Sequence, residues 1–299
     1  MTDILSDLLR MAIITPKGEE TDLNDLAELM IEECDGLGMP RIKRMTSQAP
    51  EQDGESDCGY RLQARRLKFK IKARSTSPDA YYDMRDSLAR LFEPADDPLI
   101  LKVTLPNDEV RYLDCFMESG LTYPSKDRIR LVQENEINLI APDPTFYDPV
   151  INTNQNYVTI KSGFEFPITF PISFDSGIFT IRTQITYAGS WFCYPIMYLF
   201  GPVSYPLIRN TSTGKWLRID HVINYNEKVT IDLRYGYKTI RNNYGENLIL
   251  YLNENSDLAD FCLSHETTNG VNNIQVDGSG ADQNYTRIEL DWYDRYIGI

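Results

Sequence analysis

Residues 65–74 read Arg65-Arg66-Leu67-Lys68-Phe69-Lys70-Ile71-Lys72-Ala73-Arg74. Leu67, Phe69 and Ile71 alternate with Arg66, Lys68, Lys70 and Lys72. Side chains alternate between faces only in an extended strand, so this segment has one apolar face and one wholly basic face. It is the clearest part of a strand predicted over residues 60–74. Four cations on one strand face call for acidic neighbours across a sheet. A second strand, predicted over 128–140, supplies them. It sets Glu134, Glu136 and Asn138 on one face and Ile137 and Leu139 on the other, and opposite charges directly across a sheet favour pairing.

Between these two strands, Ser77-Pro78-Asp79 opens a helix, with Ser77 as N-cap and Pro78 at the first helical position. Tyr81, Met84, Leu88, Leu91 and Phe92 form its apolar stripe, and Pro94 and Pro98 end it. Strands follow at 99–105 and 110–118, about a Pro106-Asn107-Asp108 turn. Upstream, Pro16-Lys17-Gly18 sits between two short runs in 10–24 and predicts a hairpin. The spacing of Leu26, Leu29 and Met30 fits helix and strand alike. Gly36-Leu37-Gly38-Met39-Pro40 breaks any helix, and the polar stretch 46–59 reads as an exposed loop.

Beyond residue 140 the texture changes. Residues 141–157 carry three prolines and several asparagines and read as a linker. After it come short runs at 166–172, 178–187, 194–200, 215–223, 228–234 and 247–252, punctuated by Gly, Asn and Pro, with no helical stripe. Short strands at this spacing predict an all-β sandwich or barrel. Its candidate core residues include Phe166, Phe170, Ile181, Trp216, Ile231 and Leu250. At 299 residues the chain suits about two domains, and needs no disulfide or metal staple to bury a core.

Net charge is −14. Residues 1–150 carry 19 Lys+Arg against 29 Asp+Glu, and residues 151–299 carry 11 against 15, so both halves are acidic. Phosphate contacts need a basic surface, which argues against nucleic acid as the main partner. The basic strand face also lacks interleaved exposed aromatics. Five scattered cysteines (Cys34, Cys58, Cys115, Cys193, Cys262), odd in number and without CxxC spacing, read as reduced thiols. Asp3 and Asp7 interrupt any signal-like segment, and no run of 18 uncharged apolar residues suggests a membrane span.

Motifs that carry chemistry are not expected. The two histidines, His221 and His265, lie in no metal-binding pattern. There is no G-x-S-x-G elbow, and Gly36–Gly38 and Gly278–Gly280 lack the rest of a phosphate-binding loop. With 44 acidic residues, no carboxylate pair stands out for glycoside hydrolysis. Trp191, Phe192, Tyr194, Trp216, Trp292 and Tyr293 are read as core or interface residues before sugar-stacking ones. No catalytic, cofactor-binding or metal-binding residue is therefore assigned, and no cofactor.

Several segments in order resemble the siphophage distal tail protein family. They are the G-L-G-x-P of 36–40, the basic strand, the Tyr82-x-x-Arg85-x-x-Leu88-x-x-Leu91-Phe92 helix, Arg111-Tyr112-Leu113, and Leu139-Ile140-Ala141-Pro142-Asp143-Pro144-Thr145-Phe146-Tyr147. The second half is similar to the galectin-like sandwich of many members, through Tyr194-Pro195, Gly201-Pro202, Asn210 to Gly214, Asn226 to Asp232 and Gly245-Glu246-Asn247. One segment departs from the pattern. Leu263 is followed by Ser264 to Gly270, longer than the family's Leu-x-Pro-Gly-x-Asn turn and without its proline.

The resemblance implies a mainly β protein. Residues 1–148 would be a ring-forming β-barrel or sandwich domain with one α-helix, and residues 149–299 a galectin-like β-sandwich projecting as a docking platform. It implies a homo-hexameric ring at the tip of a phage tail. The ring would join the tail tube protein to tail-tip hub, fibre or receptor-binding proteins, with DNA passing through it and no membrane or sequence-specific nucleic-acid contact. The protein would be synthesised in the host cytoplasm and carried in the virion. A carbohydrate-binding module contacting the host surface is the alternative, and a glycan hydrolase a third reading.

Overall fold

The computed structural model describes residues 9–24, 29–123, 131–158 and 178–299. The chain forms two compact units, Val150–Arg295 and the remainder, Met1–Pro149 with Tyr296–Ile299. The expected second domain ran to residue 299. Instead its last four residues pack with the first unit, for a reason given below. No helix among the described residues is long and apolar enough to cross a membrane.

In the first unit the strands are β1 (Arg10–Ile14), β2 (Glu20–Asp22), β3 (Leu29–Asp35), β4 (Ile42–Ser47), β5 (Ser56–Leu62), β6 (Arg65–Arg74), β7 (Leu99–Thr104), β8 (Val110–Met117), β9 (Val132–Ala141) and β10 (Phe146–Tyr147), with helix α1 (Pro78–Leu91) between β6 and β7. One antiparallel sheet runs β2–β1–β7–β8–β9–β6–β3, and β10 pairs on β8. The inward residues of β6, β7, β8 and β9 form a core of Leu67, Phe69, Ile71, Leu101, Val103, Leu113, Ile137 and Leu139, each at most 1% exposed. Burying one such side chain is worth roughly 1.5–3 kcal/mol. Helix α1 adds Leu88, with Phe92 at its C-cap. Ser77 Oγ accepts from Ala80 N at 3.2 Å, so Ser77 is the N-cap and Pro78 opens the helix.

Two first-unit expectations change, and one left open is resolved in part. The predicted strand 60–74 is two strands, β5 and β6, separated at residues 63 and 64. The predicted loop 46–59 is mostly hairpin. β4 and β5 pair with each other in a two-stranded sheet of their own, and residues 48–55 form its turn. Leu29 and Met30 begin strand β3, whereas Leu26 lies outside the described residues, as do residues 128–130 of the predicted strand 128–140.

The second unit is a β-sandwich. Its strands are β11 (Asn152–Tyr157), β12 (Ile178–Thr186), β13 (Ile196–Phe200), β14 (Val203–Asn210), β15 (Lys215–Arg218), β16 (Val222–Ile223), β17 (Lys228–Asp232), β18 (Thr239–Asn242), β19 (Val271–Ser279) and β20 (Arg287–Trp292). One sheet runs β11–β20–β13–β17–β18; the other runs β12–β19–β14–β15, with β16 on β14. Met197, Leu199, Val229, Ile231, Ile288 and Leu290 of the first sheet and Ile181, Ile208, Leu217, Ile274 and Val276 of the second are all buried in one core, as two packed sheets require.

The last six residues of the predicted linker are strand β11, at the sheet edge, in full register with β20 from Asn152 opposite Trp292 to Tyr157 opposite Arg287. Its Asn154 and Asn156 are used in bonds to Thr183 on β12 of the other sheet. Asn156 Nδ2 donates to Thr183 Oγ1 at 2.8 Å, and that hydroxyl donates to Asn154 Oδ1 at 2.9 Å. The predicted run 247–252 is a 3-10 turn at Ile249–Tyr251. Asn247 Oδ1 accepts from Ile249 N at 3.0 Å, an Asx turn that competes with the strand. Leu250 is therefore 90% exposed and Trp216 only half-buried, so neither is core. Ile181 and Ile231 are core, and Phe166, Phe170 and the run 166–172 lie outside the described residues.

Candidate assembly surface

The basic face of β6 is neutralised within its own sheet. β6 lies between β3 and β9, and the register sets Lys72 opposite Glu134, Lys70 opposite Glu136, and Glu33 opposite Lys70. Lys68 pairs with Glu136 at 3.0 Å, Lys70 with Glu33 at 3.5 Å, and Lys72 with Glu134 at 3.1 Å and with Glu32. Arg66 pairs with Glu118 at 2.6 Å. Hydrogen bonds to Glu32 and Glu134 raise the Lys72 pKa. Hydrogen bonds from Lys68 and then Asn138 lower that of Glu136. These pairs are partly exposed, so their role is to set register more than to stabilise the fold.

Arg65 has the same strand parity as Leu67 and Phe69, so it points inward, and it is 1% exposed. Among the described residues it meets no carboxylate. Its Nε donates to Pro144 O at 2.7 Å, Nη1 to Gly36 O at 2.5 Å and to Gly38 O, and Nη2 to Ile297 O at 2.6 Å. The guanidinium lies 4.7 Å from the Phe146 ring centroid. Burial lowers its pKa to about 10, so it stays charged at neutral pH. Gly36 approaches β6 so closely that a Cβ would run into the Arg66 carbonyl, and its φ of +100° suits glycine.

Arg111 holds the same tail. It donates to Gly298 O at 3.0 Å and lies 3.9 Å from the Tyr296 ring centroid, while Ile299 N donates to Leu37 O at 3.1 Å. This explains why residues 296–299 belong to the first unit. Sequence reading named neither the Arg65 clamp nor the tail it holds. The signal for Arg65 was present, as a charge in the apolar phase of a strand.

The β4–β5 hairpin is the most exposed element of this unit. Met39, Ile42 and Tyr60 at or near it are exposed apolar residues. A two-stranded hairpin alone is marginal in water.

The groups considered for chemistry are scattered. In the second unit, His221 Nε2 lies 3.5 Å from Glu227 Oε1, and its ring packs on Tyr251. His265 stacks on Trp191 and meets Phe192 edge-on. Tyr194 packs against Tyr235, and Trp292 is buried in the sandwich core. All five cysteines are free. Burial pushes Cys115 and Cys193 up to about 12 and Cys262 to about 11, the wrong direction for thiolate nucleophiles. No group of three or more His, Cys, Asp or Glu able to hold a metal ion occurs among the described residues.

The departure at Ser264 to Gly270 is held from inside. Asn272 is buried; its Nδ2 donates to Ser264 O at 2.9 Å and Gly270 O at 3.0 Å, and its Oδ1 accepts from Ser264 N and Asn210 Nδ2 at 3.0 Å.

Residues 17–141 match a family model described as the phage tail protein RIFT-related domain. No curated protein matches the chain. Among solved structures, the Dit protein of phage SPP1 matches with a TM-score of 0.62 at 14% identity, over 96% of this chain and 99% of that one. That structure is described as a paradigm of hub adsorption apparatus in Gram-positive infecting phages. A phage P2 baseplate structure in its activated conformation matches at 9% identity over 98% of this chain and 100% of that one, with a TM-score of 0.49. Residues 17–141 thus match the phage tail protein RIFT-related domain, and the chain shares the fold of the Dit protein of phage SPP1.

Proposed function

We propose that the protein is a structural ring component at the tip of a phage tail. Six copies would form the ring through the first unit, beneath the tail tube protein, and the second unit would dock tail-tip hub, fibre or receptor-binding proteins. The observation that carries this reading is the phage tail domain matched over residues 17–141, the part of the chain with the exposed hairpin. Among the described residues, the β4–β5 hairpin exposes the apolar side chains of Ile42 and Tyr60. Among the described residues, strands β2 and β3 end their sheet and have no further strand paired on their outer edges. A neighbouring copy in a closed ring covers such features. On this reading the protein turns over no substrate, leaves the host cytoplasm inside the particle, and binds no cofactor.

The test is self-association at high concentration, read by light scattering for the full chain and for a variant in which residues 43–61 are replaced by a short Gly-Ser turn. The full chain should give a mass near six copies and the variant a monomer of unchanged thermal stability. Equal masses for the two would remove the hairpin from the interface. A second test is incubation with host cell-wall material, which should release no sugar or peptide.

A further inference from the structure

We infer that the outer face of the β12–β19–β14–β15 sheet is a binding site for an acidic glycan, a sugar carrying a carboxylate or phosphate, with Arg182 and Arg209 as anion ligands and Trp216 as the ring platform. This is independent of ring formation and of the docking role above.

The placement follows from register. Arg182 on β12 is opposite Gln275 on β19, Gln275 is opposite Arg209 on β14, and Arg209 is opposite Trp216 on β15. Four strands thus align Arg182, Gln275, Arg209 and Trp216 in one row. The alternate residues Ile181, Ile208, Leu217, Ile274 and Val276 are buried in the core, so this row faces outward. The two arginines sit two strand spacings apart, about 10 Å between backbones, a separation that two long flexible side chains close onto one anion. Beside the row lies a depression of about 420 Å³ lined by Arg182, Gln184, Thr211, Asn273 and Gln275 among others. Amides and hydroxyls of this kind donate to and accept from sugar hydroxyls.

Charge supplies the second observation. The chain has a net charge of −14, and in the second unit most described cations are engaged by carboxylates or rings: Lys215, Arg218, Arg234 and Arg287 by carboxylates, and Lys228 and Lys238 by tyrosine rings. At the neighbouring edge Lys215 pairs with Asp257 and Arg218 with Asp220. Among the described residues, Arg182 and Arg209 make no ion pair and stack on no ring. The carboxylate next along the face, Asp277, is occupied otherwise: it accepts from Thr180 Oγ1 at 2.8 Å and from Gln275 Nε2 at 2.9 Å. Two unpaired guanidiniums beside a polar depression, in an acidic protein, complement a ligand anion, and the planar fork of Arg suits carboxylate and phosphate. The half-buried indole of Trp216 at the end of the row gives an apolar face with a polar edge, suited to a sugar ring. A nucleic acid does not fit, since two cations make too short a stripe.

The experiment is calorimetric titration of the full chain with three probes of equal length: an oligogalacturonate, a singly phosphorylated oligogalactose, and the neutral oligogalactose. Binding of either charged probe, weakening with added salt and at least tenfold tighter than the neutral one, is expected. The double variant Arg182→Gln/Arg209→Gln should lose at least tenfold affinity for the charged probe with its melting temperature unchanged, because both side chains are exposed. Trp216→Phe should keep binding and Trp216→Ala should weaken it. No binding of either charged probe, or binding untouched by the double variant, would overturn the site. Equal binding of inorganic phosphate or of a polyglutamate peptide would overturn the sugar as its occupant.

Discussion

Two residues show how single side chains hold this molecule in shape. Arg65 gathers the carbonyls of Pro144, Gly36, Gly38 and Ile297, so one guanidinium joins three separate stretches of chain. Arg65→Met leaves those buried acceptors without a donor, and the first unit should lose about 3 kcal/mol or more. Arg65→Lys should recover only part of this, because an ammonium lacks the planar fork. Urea denaturation checks both, and an unchanged midpoint for Arg65→Met would refute the clamp. Glu227 supplies a pH prediction. Burial raises its pKa, but donation from Asn224 N, Asn242 Nδ2 and Asn224 Nδ2, with nearby His221, outweighs burial, and the net direction is down from 4.5. A carboxylate depressed in the folded state stabilises it fully above its unfolded pKa, and that contribution disappears as pH falls through the folded value. The second unit should therefore lose stability below about pH 4.5, and Glu227→Gln should flatten that part of the profile. A variant profile parallel to the native one down to pH 3 would contradict the assignment.

Elements built with one buried face were legible in the sequence, and elements without one were not. β6, β9 and α1 carry a strong apolar period because each buries one face, and the pairing of β6 with β9 followed from charge. The hairpin β4–β5 is exposed on both faces, so burial writes no alternation into it and residues 46–59 read as loop. The edge strand β11 hides for a related reason: its Asn154 and Asn156 side chains bond to Thr183 of the other sheet, and the polar run imitates a linker. The Arg182–Arg209 face was illegible because it depends on which strands are neighbours. The ion-pair ladder on β6 yields the prediction at this scale. Lys68→Glu with Lys70→Glu sets new carboxylates beside Glu136 and Glu33. The variant should melt at a lower temperature, and adding Glu136→Lys should restore part of the loss. Wild-type melting of the double variant would show that the ladder does not specify register. In the second unit, Asn272→Ala should cost about 2 kcal/mol or more, since it orphans the carbonyls of Ser264 and Gly270; an unchanged denaturation midpoint would refute that role.

For the whole molecule, the two units have separate cores, but the last four residues return to the first unit through Arg65 and Arg111. The second unit is thus inserted into the first in the order of the chain. A subunit of net charge −14 also repels its copies. Ring formation should therefore strengthen from low to physiological salt, as screening shortens that repulsion, and sedimentation across a salt series checks it. The most direct measurement for the central claim is electron microscopy of the purified protein and of intact tails. The account predicts six copies around a central opening, in the same arrangement at the tail tip. Strictly monomeric particles in both samples, or a ring of another copy number at the tail tip, would contradict it.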